Sequence, residues 1–290
     1  MPFSSRTFER CKPLLGTFVS VRIQGLEPAT AQAAITAAFV EVASIHRLMS
    51  YHQSDSDVSR LNREGHRQAV LVDWRTYEVL RRAAEFSSHS AGVFDVTVAS
   101  HLVATKQLPP GSERAPTSGA SWQDIELLAD GRIRFLRPLW IDLGGIAKGF
   151  AVDRAIELLR AFTPAQACVN AGGDLRVLGS STEQVRLMHG RVRSTVAPMV
   201  ELTNGSVASS GAALDGDRNP ELPPNTHIDG QTRLATRAGR FVTVLAPTCI
   251  VADALTKVVM ARGLAARRVL QQFTARALFH DSHAGWSEVA

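Results

Sequence analysis

The chain has 290 residues, a net charge of +5, and 45% hydrophobic and 20% charged residues. This composition is typical of a globular protein with one large domain or two small ones, and it provides enough apolar side chains for a core. The sequence contains no arginine-rich run and no basic block with interleaved aromatic residues, which argues against a nucleic-acid partner.

The predicted elements intermix helices with strands that come in pairs, which favours an α+β fold over a doubly wound sheet. Helices are predicted where apolar residues recur at spacings of three and four, and strands where apolar runs are short or alternate with polar residues. In the first half of the chain we predict a strand at 16–23, a helix at 30–48, a loop leading into a short helix within 49–62 that is capped by Asp55 or Ser56, and a helix at 77–88. A turn with a short extended piece at 92–98, a loop at 109–119, strands within 133–141 and a helix from 147 follow. In the second half we predict a strand pair at 167–179, strands at 185–187, 199–202 and 207–209, a loop at 213–230, a strand at 241–246, a helix at 250–262 and a last strand at 275–279.

The three cysteines, Cys11, Cys168 and Cys249, lie far apart and lack CxxC spacing. We therefore predict buried free thiols in a reducing compartment, not a zinc site or a disulfide framework. No apolar run of signal-peptide or transmembrane length is recognised, so we expect a cytoplasmic protein without a membrane span.

The stretch 141–159, IDLGGIAKGFAVDRAIELL, carries the first indication of a binding site. An acid, Asp142, precedes the Gly144–Gly145 turn, and a helical pattern follows. Glycines let the backbone approach a ligand, the first helical N–H groups can bind an anion, and Lys148 adds a positive charge suited to phosphate. The alternative is a plain helix-capping turn with an exposed lysine. The stretch matches neither GxxxxGK[ST] nor GxGxxG.

Polar side chains beside glycines or within apolar runs are further candidates. Asp95 and Asp174 either line a site or cap turns, and His227 is either an acid–base group or a hydrogen-bonded surface histidine. Asp253 lies in the apolar run IVADAL, where a carboxylate must pair, bind a cation or cap the helix. The remaining candidates are Ser50, Tyr51, His52, Asn170 and Asp229.

Taken together, eight blocks in this order resemble the ApbE family of FAD:protein FMN transferases and cover most of residues 15–263. The resemblance implies a two-lobed α+β fold related to the T-fold, with mixed or antiparallel sheets and FAD in a central cleft. It further implies one domain over 1–290, in which we expect 1–13 to be an N-terminal tail. The blocks are LLGTFVSV, MSYHQSDSDVSRLN, GVFDVTV, IDLGGIAKGFAVD, ACVNAGGDL, VASSG, HIDGQT and VTVLAPTCIVADALTK.

The resemblance implies an enzyme that cleaves FAD, attaches FMN through a phosphoester to a Ser or Thr of an acceptor protein, and releases AMP with the help of Mg²⁺. His52 stands in the family's usual tyrosine column, so either Tyr51 or His52 could stack on the flavin. The metal ligands it implies are the Gly145 carbonyl and Asp253. The FAD-binding residues it implies are Leu15, Ser50, Tyr51, His52, Phe94, Asp95, Asp142, Lys148 and His227.

Two departures from the family pattern bear on the chemistry. The family places Thr four residues after the metal-binding Asp, where this chain has Lys257. Either Thr256 turns toward the ion as a ligand, or the Lys257 ammonium takes part of the cation's place, because a protonated lysine cannot ligate Mg²⁺. The block around His227 and Asp229 is one residue shorter than the family's, and we predict that these two side chains position or deprotonate the acceptor hydroxyl.

Asp253 is predicted to be catalytic through the cation, so Asp253→Ala is expected to abolish FMN transfer and leave the fold intact. Two alternative functions stay open at this point. One is an FAD pyrophosphatase that gives FMN and AMP with water as acceptor, and the other is a non-catalytic FAD-binding protein.

Overall fold

The computed structural model describes residues 6–111, 115–187, 198–211, 227–236, 240–281 and 285–289. In these ranges the helices are α1 (Pro28–Met49), α2 (Asp57–Glu64), α3 (Trp74–His89), α4 (Ala99–Ala104), α5 (Ala147–Arg160), α6 (Cys249–Arg262) and α7 (Arg267–Gln272). The strands are β1 (Thr7–Leu14), β2 (Thr17–Gln24), β3 (Val70–Leu71), β4 (Ile125–Leu127), β5 (Arg132–Phe135), β6 (Gln166–Ala171), β7 (Asp174–Gly179), β8 (Glu183–Arg186), β9 (Met199–Leu202), β10 (Ser206–Gly211), β11 (Arg240–Ala246), β12 (Arg276–Asp281) and β13 (Gly285–Val289).

The main sheet has eight strands in the order β1-β2-β6-β7-β10-β11-β12-β13, and each neighbouring pair is antiparallel. A three-stranded sheet, β3-β5-β4, and a hairpin, β8-β9, complete the described strands. Helices and antiparallel sheets thus make up an α+β fold, as predicted. The division into two lobes stays a prediction.

Three helices pack together over the main sheet and position the site. Helix α5 contacts β6, β7 and α1, and α6 contacts β10, β11 and α5. A single core cluster extends from the main sheet through these helices to the small sheet, and it includes Val21, Ile156 and Phe135. As a result, the start of α5 and one face of α6 meet above the centre of the main sheet.

Several local predictions are confirmed because they depend on short-range chemistry. The hydroxyl of Ser56 caps α2 by accepting from the Ser59 N–H at 3.0 Å. The predicted inward face of α3 is buried, including Val79, Ala83 and Phe86. The Gly172–Gly173 turn joins β6 to β7, and both glycines have positive φ.

The N-terminal tail is a correction, because Thr7–Leu14 forms the edge strand β1 and pairs with β2 along its whole length. Leu15 and Gly16 make the two-residue turn between them, with φ of +56° and +71°. Two successive positive φ values are the geometry of a tight hairpin turn that matches strand twist. Leu15 is therefore held in a conformation that non-glycine residues seldom adopt.

Other differences follow from tertiary contacts. Val96–Val98 is a 3-10 helix capped by Asp95 and not an extended piece. Strand β5 ends at Phe135, so 137–141 is irregular, and β13 was not predicted. Cys11 is exposed on the edge strand, whereas Cys168 and Cys249 are buried as predicted. Of the loop predicted at 213–230, residues 213–226 lie outside the described residues.

Helix α1 is the one described helix that is long and apolar enough to cross a membrane by length and composition alone, although no run of that length is predicted from the sequence. Nine of its residues are buried within the fold, among them Ile35, Phe39 and Val42. Its buried Glu41 forms an ion pair with Arg75 at 2.8 Å. These contacts account for the apolar composition of α1.

Candidate active site

A cavity of about 590 Å³ opens where the N-terminal end of α5, the end of β10 and α6 meet. Lys148, Lys257 and His227 are in its wall, with an apolar side that includes Phe94 and Leu108. The cavity therefore combines positive charge with apolar surface, as a nucleotide site requires.

A second cavity of about 320 Å³ shares Leu108, Asp142, Gly144 and Lys148 with the first, so the two are neighbouring parts of one cleft. Its own wall is more apolar and is formed by the hairpin turn before β2, the end of α1 and the loop that follows. The structure thus brings together predicted residues from distant segments, namely Leu15, Ser50, Tyr51 and His52 in the second cavity, Phe94, Asp95, Gly145 and His227 in the first, and Asp142 and Lys148 in both.

Lys148 lies in the first turn of α5, as predicted, but its ammonium is not free. It forms an ion pair with the buried carboxylate of Asp174 at the start of β7. The same carboxylate accepts a hydrogen bond from the Ser209 N–H at 3.3 Å. Asp174 therefore fixes Lys148 at the border of both cavities. Of the two predicted roles of Asp174, a role at the site fits these contacts and capping a turn does not.

Asp253 lies in the second turn of α6 with 1% of its side chain exposed. One carboxylate oxygen is 2.5 Å from the Lys257 Nζ, and the other accepts a hydrogen bond from the Gly149 N–H of α5 at 3.0 Å. This contact needs a close approach of the two helices, and glycine at position 149 permits it. A Cβ there would lie 2.4 Å from the Cys249 carbonyl oxygen.

The opposite charges in this cluster stabilise each other, whereas the two carboxylates repel. Burial alone would raise the pKa of Asp253, but Lys257 and Lys148 together hold it below its usual value. Burial opposes charge on Lys148, yet Asp253 and Asp174 raise its pKa. Burial, followed by the nearby Asp253, raises the pKa of Asp174. The cluster of two acids and two ammonium groups is thus balanced before any ligand binds.

Two other predicted acids have different environments. Burial raises the pKa of Asp142, and the Gly144 N–H donates to its carboxylate at 3.1 Å. Asp95 is in the wall of the larger cavity, but its carboxylate is occupied by the Thr97 N–H at 2.8 Å and by Arg233 at 2.8 Å. Asp95 therefore shapes the cavity as a structural group, which supports its capping role.

His227 is in the cavity wall near Lys257. Its pKa is lowered to about 3, first because burial disfavours the imidazolium and second because Lys257 repels it. Since this value lies far below neutral pH, the ring is uncharged at pH 7. It has one nitrogen able to accept a proton.

Replacing His227 by glutamine is expected to change how stability depends on pH. An unfolded histidine titrates near 6.5, so below that pH the unfolded chain binds a proton that the folded site excludes. The wild type should lose stability as pH falls from about 6.5 toward 3, with up to about 1.4 kcal/mol per pH unit from this residue, and the variant should lack that contribution. Urea unfolding at pH 8, 6 and 5 measures this contribution. If the free energy of unfolding changed with pH equally in both proteins, the prediction would be contradicted.

Two predicted site residues are corrections. Asp229 lies outside the described wall of both cavities, because its carboxylate accepts from the Gln231 N–H at 2.9 Å and pairs with Arg262 at 2.9 Å. Its Oδ1 thus stabilises a turn and its Oδ2 is paired with Arg262, so both carboxylate oxygens have partners. Thr256 is fully buried, donates its hydroxyl to the Asp253 carbonyl at 2.7 Å and lies 2.8 Å from the Ser210 hydroxyl, so its oxygen is engaged by the helix backbone and by a serine.

The predicted magnesium ligands do not fit the ion in this arrangement. The Lys257 side chain is close to both predicted ligands, because its Nζ lies 2.5 Å from the Asp253 carboxylate and its Cε would lie 3.3 Å from a Cβ at Gly145. Mg²⁺ requires oxygen ligands in near-octahedral geometry, and an ammonium provides none. Among the described residues, no group of three or more His, Cys, Asp or Glu side chains is arranged to hold a metal.

Sequence reasoning missed the partners that organise the cleft. The sequence marks Asp174 as a residue that either lines a site or caps a turn, without indicating Lys148 as its partner, and it gives no signal for Arg233. Ser209 and Ser210 were visible only as part of the VASSG block. Side chains whose partners lie in other elements leave no local periodic signal, so only the folded chain identifies them.

The fold and the cleft define an α+β protein that can hold an anionic, partly aromatic ligand between two lysines and an apolar recess. The chain belongs to the ApbE family, whose model matches residues 15–279, and this confirms the resemblance seen in the sequence.

Named relatives and solved structures are similar over most of this chain. An FAD:protein FMN transferase from Treponema pallidum is 28% identical over 218 residues, which is 69% of this chain and 58% of the relative, less than two thirds of its length. One from Haemophilus influenzae is 27% identical over 239 residues, 73% of this chain and 67% of the relative. The ApbE protein of Thermotoga maritima superimposes with a TM-score of 0.82 at 24% identity, covering 97% of this chain and 96% of its own. The apo flavinyl transferase ApbE of Pseudomonas stutzeri superimposes with a TM-score of 0.82 at 22% identity, covering 99% of this chain and 95% of its own. These structural likenesses show the fold.

Proposed function

We propose that this chain is an FAD:protein FMN transferase. It cleaves FAD, attaches FMN through a phosphoester to a Ser or Thr hydroxyl of an acceptor protein, and releases AMP. The family match and the names of the relatives support this proposal. The observation that carries it is the divided cleft, in which a charged cavity with two lysines adjoins a more apolar cavity whose wall includes the rings of Tyr51 and His52.

The two cavities correspond to two parts of one elongated ligand. The diphosphate of FAD would lie beside Lys148 and Lys257 at the N-terminal end of α5, where the two ammonium groups favour an anion. The flavin ring would enter the smaller cavity next to Tyr51 and His52, whose rings lie 6.2 Å apart at an angle of 77°. Because the rings are nearly perpendicular, only one of them can stack face-on against the flavin.

Phosphoryl transfer depends mainly on positioning and on neutralising the charge of the phosphate oxygens. The acceptor oxygen would attack the FMN phosphorus, the bond between that phosphorus and the bridging oxygen would break, and AMP would leave with the bridging oxygen. The acceptor proton would pass to solvent water, and the uncharged His227 would help to position the acceptor hydroxyl, because a base with a pKa of about 3 binds a proton only weakly at neutral pH. Lys148 and Lys257, each already paired with an acid, would donate hydrogen bonds to the phosphate oxygens and offset part of their charge.

The test is to incubate the protein with FAD and a pool of synthetic peptides that each contain one serine or threonine, with and without Mg²⁺. AMP release together with a peptide mass gain equal to FMN minus water would support the transferase, and alanine-substituted peptides are the matched control. AMP without modified peptide would favour the pyrophosphatase, and intact bound FAD would favour the non-catalytic binder. The predicted magnesium requirement is measured in the same assay.

A further inference from the structure

We infer that the ammonium group of Lys257 takes the place of a divalent cation at Asp253, so that this chain binds the diphosphate of FAD without Mg²⁺. The inference rests on the proposed function for the identity of the ligand. It concerns what neutralises the acid of α6 and what faces the phosphates.

The first argument is position. Lys257 follows Asp253 by four residues on α6, which puts both on one face of the helix. The Lys257 Nζ lies 2.5 Å from the carboxylate, 3.1 Å from the Asp253 carbonyl oxygen and 3.4 Å from the Ser210 hydroxyl. On its other side, the lysine stem packs beside Gly145, the second residue that was predicted to ligate the metal. The ammonium is therefore in contact with the predicted acidic ligand, and the stem that carries it passes beside the residue of the second.

The second argument is access. Asp253 has 1% of its side chain exposed, and Lys257, with 16% exposed, is the part of this pair in the wall of the larger cavity. The remaining carboxylate oxygen is bound to the Gly149 N–H. A hydrated cation from solvent would have to displace Lys257 to reach the acid.

The third argument is charge. A buried carboxylate is strongly disfavoured unless a cation is paired with it, and Lys257 supplies that cation from the chain itself. If Mg²⁺ displaced the ammonium, the dication and Lys257 would lie within a few ångströms in a cavity that also contains Lys148, and their repulsion would oppose binding. A threonine at 257 would instead leave the Asp253 carboxylate without its ammonium partner and place a hydroxyl one helical turn away. The carboxylate and the hydroxyl both offer oxygen atoms, which are the ligands that Mg²⁺ prefers.

The experiment compares the wild type with Lys257→Thr and Lys257→Met, and uses Lys12→Met on the exposed edge strand as a matched control. Mn²⁺, a spectroscopic substitute for Mg²⁺, is titrated into FAD-free protein and followed by electron paramagnetic resonance. FAD binding is then measured from flavin fluorescence in EDTA and in MgCl₂, after circular dichroism has verified folding.

We expect the wild type and Lys12→Met to bind no Mn²⁺ at millimolar concentration and to show FAD affinities that differ less than about twofold between EDTA and MgCl₂. Lys257→Thr should bind one Mn²⁺ and require Mg²⁺ for FAD, with an affinity about tenfold or more lower in EDTA. Lys257→Met should bind FAD about tenfold or more weakly in either solution, because it offers neither charge nor ligand.

A wild-type protein that binds one Mn²⁺, or that loses FAD affinity in EDTA and regains it in MgCl₂, would overturn the inference. So would a folded Lys257→Thr variant that gains no metal binding. If that variant fails to fold, the wild-type measurements decide alone. FAD binding without metal and without AMP release would support the cation-replacing role of Lys257 and refute the transferase. AMP release that requires Mg²⁺ would refute that role of Lys257 and support FAD cleavage. No FAD binding in either solution would refute both.

Discussion

Replacing Asp253 by alanine is expected to abolish FAD cleavage and to lower the free energy of unfolding by about 3–5 kcal/mol. The carboxylate is buried, and its removal leaves the Lys257 ammonium and the Gly149 N–H without their shared partner. An uncompensated charge in such a place is strongly destabilising. The sequence alone led us to expect that the fold of the Asp253→Ala variant stays intact. The contacts in the structure instead predict a large loss of stability.

Chemical denaturation and AMP release measure the two parts of this prediction, and two further variants separate them. Asp253→Asn keeps an oxygen that can accept from the Gly149 N–H but loses the charge, so it should lose activity with a smaller loss of stability. Asp130→Ala removes an exposed carboxylate paired with Arg132 and should leave both quantities near wild type. An Asp253→Ala protein as stable as the wild type would show that the ion cluster does not hold α5 to α6.

Replacing Gly149 by alanine is expected to destabilise the protein by about 1–3 kcal/mol, although the same change inside an ordinary helix stabilises it by about 1 kcal/mol. The added Cβ would lie 2.4 Å from the Cys249 carbonyl oxygen and 2.8 Å from the Asp253 Cβ. These are atoms of α6 and not the ends of flexible side chains, so the two helices must separate. The opposite signs of the two effects make the measurement decisive.

Separation of α5 from α6 should also weaken FAD binding, because it moves Lys148 relative to Lys257 and lengthens the hydrogen bond from the Gly149 N–H to Asp253. Urea denaturation and titration with FAD measure the two effects. Thr36→Ala, on the exposed face of α1, is the control for helix propensity and should be slightly stabilising. A stabilised Gly149→Ala protein with unchanged FAD affinity would contradict the close packing.

Much of the local structure could be predicted because its causes lie within a few residues. The apolar spacing within α1, α3 and α6, the Ser56 cap and the Gly172–Gly173 turn all depend on neighbours along the chain, and each is found as expected. The order of the motif blocks was sufficient to identify the family. The edge strand β1 was missed because its signal is weak: six of its eight residues are exposed, and only pairing with β2 makes it a strand.

The chemistry of the cleft was only partly predictable. The sequence indicated that Lys148 and Asp253 serve one site, and the structure connects them through the contact of α5 with α6. It also suggested Asp229 for catalysis, but the turn that holds this residue directs its carboxylate to Arg262. A carboxylate in a short motif has several possible partners, and the motif alone does not choose among them.

The amino-acid sequence by itself determined the α+β class, most helices and strands, the family, and the types of residue available at the site. Only the tertiary structure decided which charges meet, because Gly149 and Asp253 are 104 positions apart and come together solely through helix packing. It likewise placed the Lys257 ammonium against Asp253 and the lysine stem beside Gly145, since a side chain's partner is chosen by the geometry of the packed elements around it.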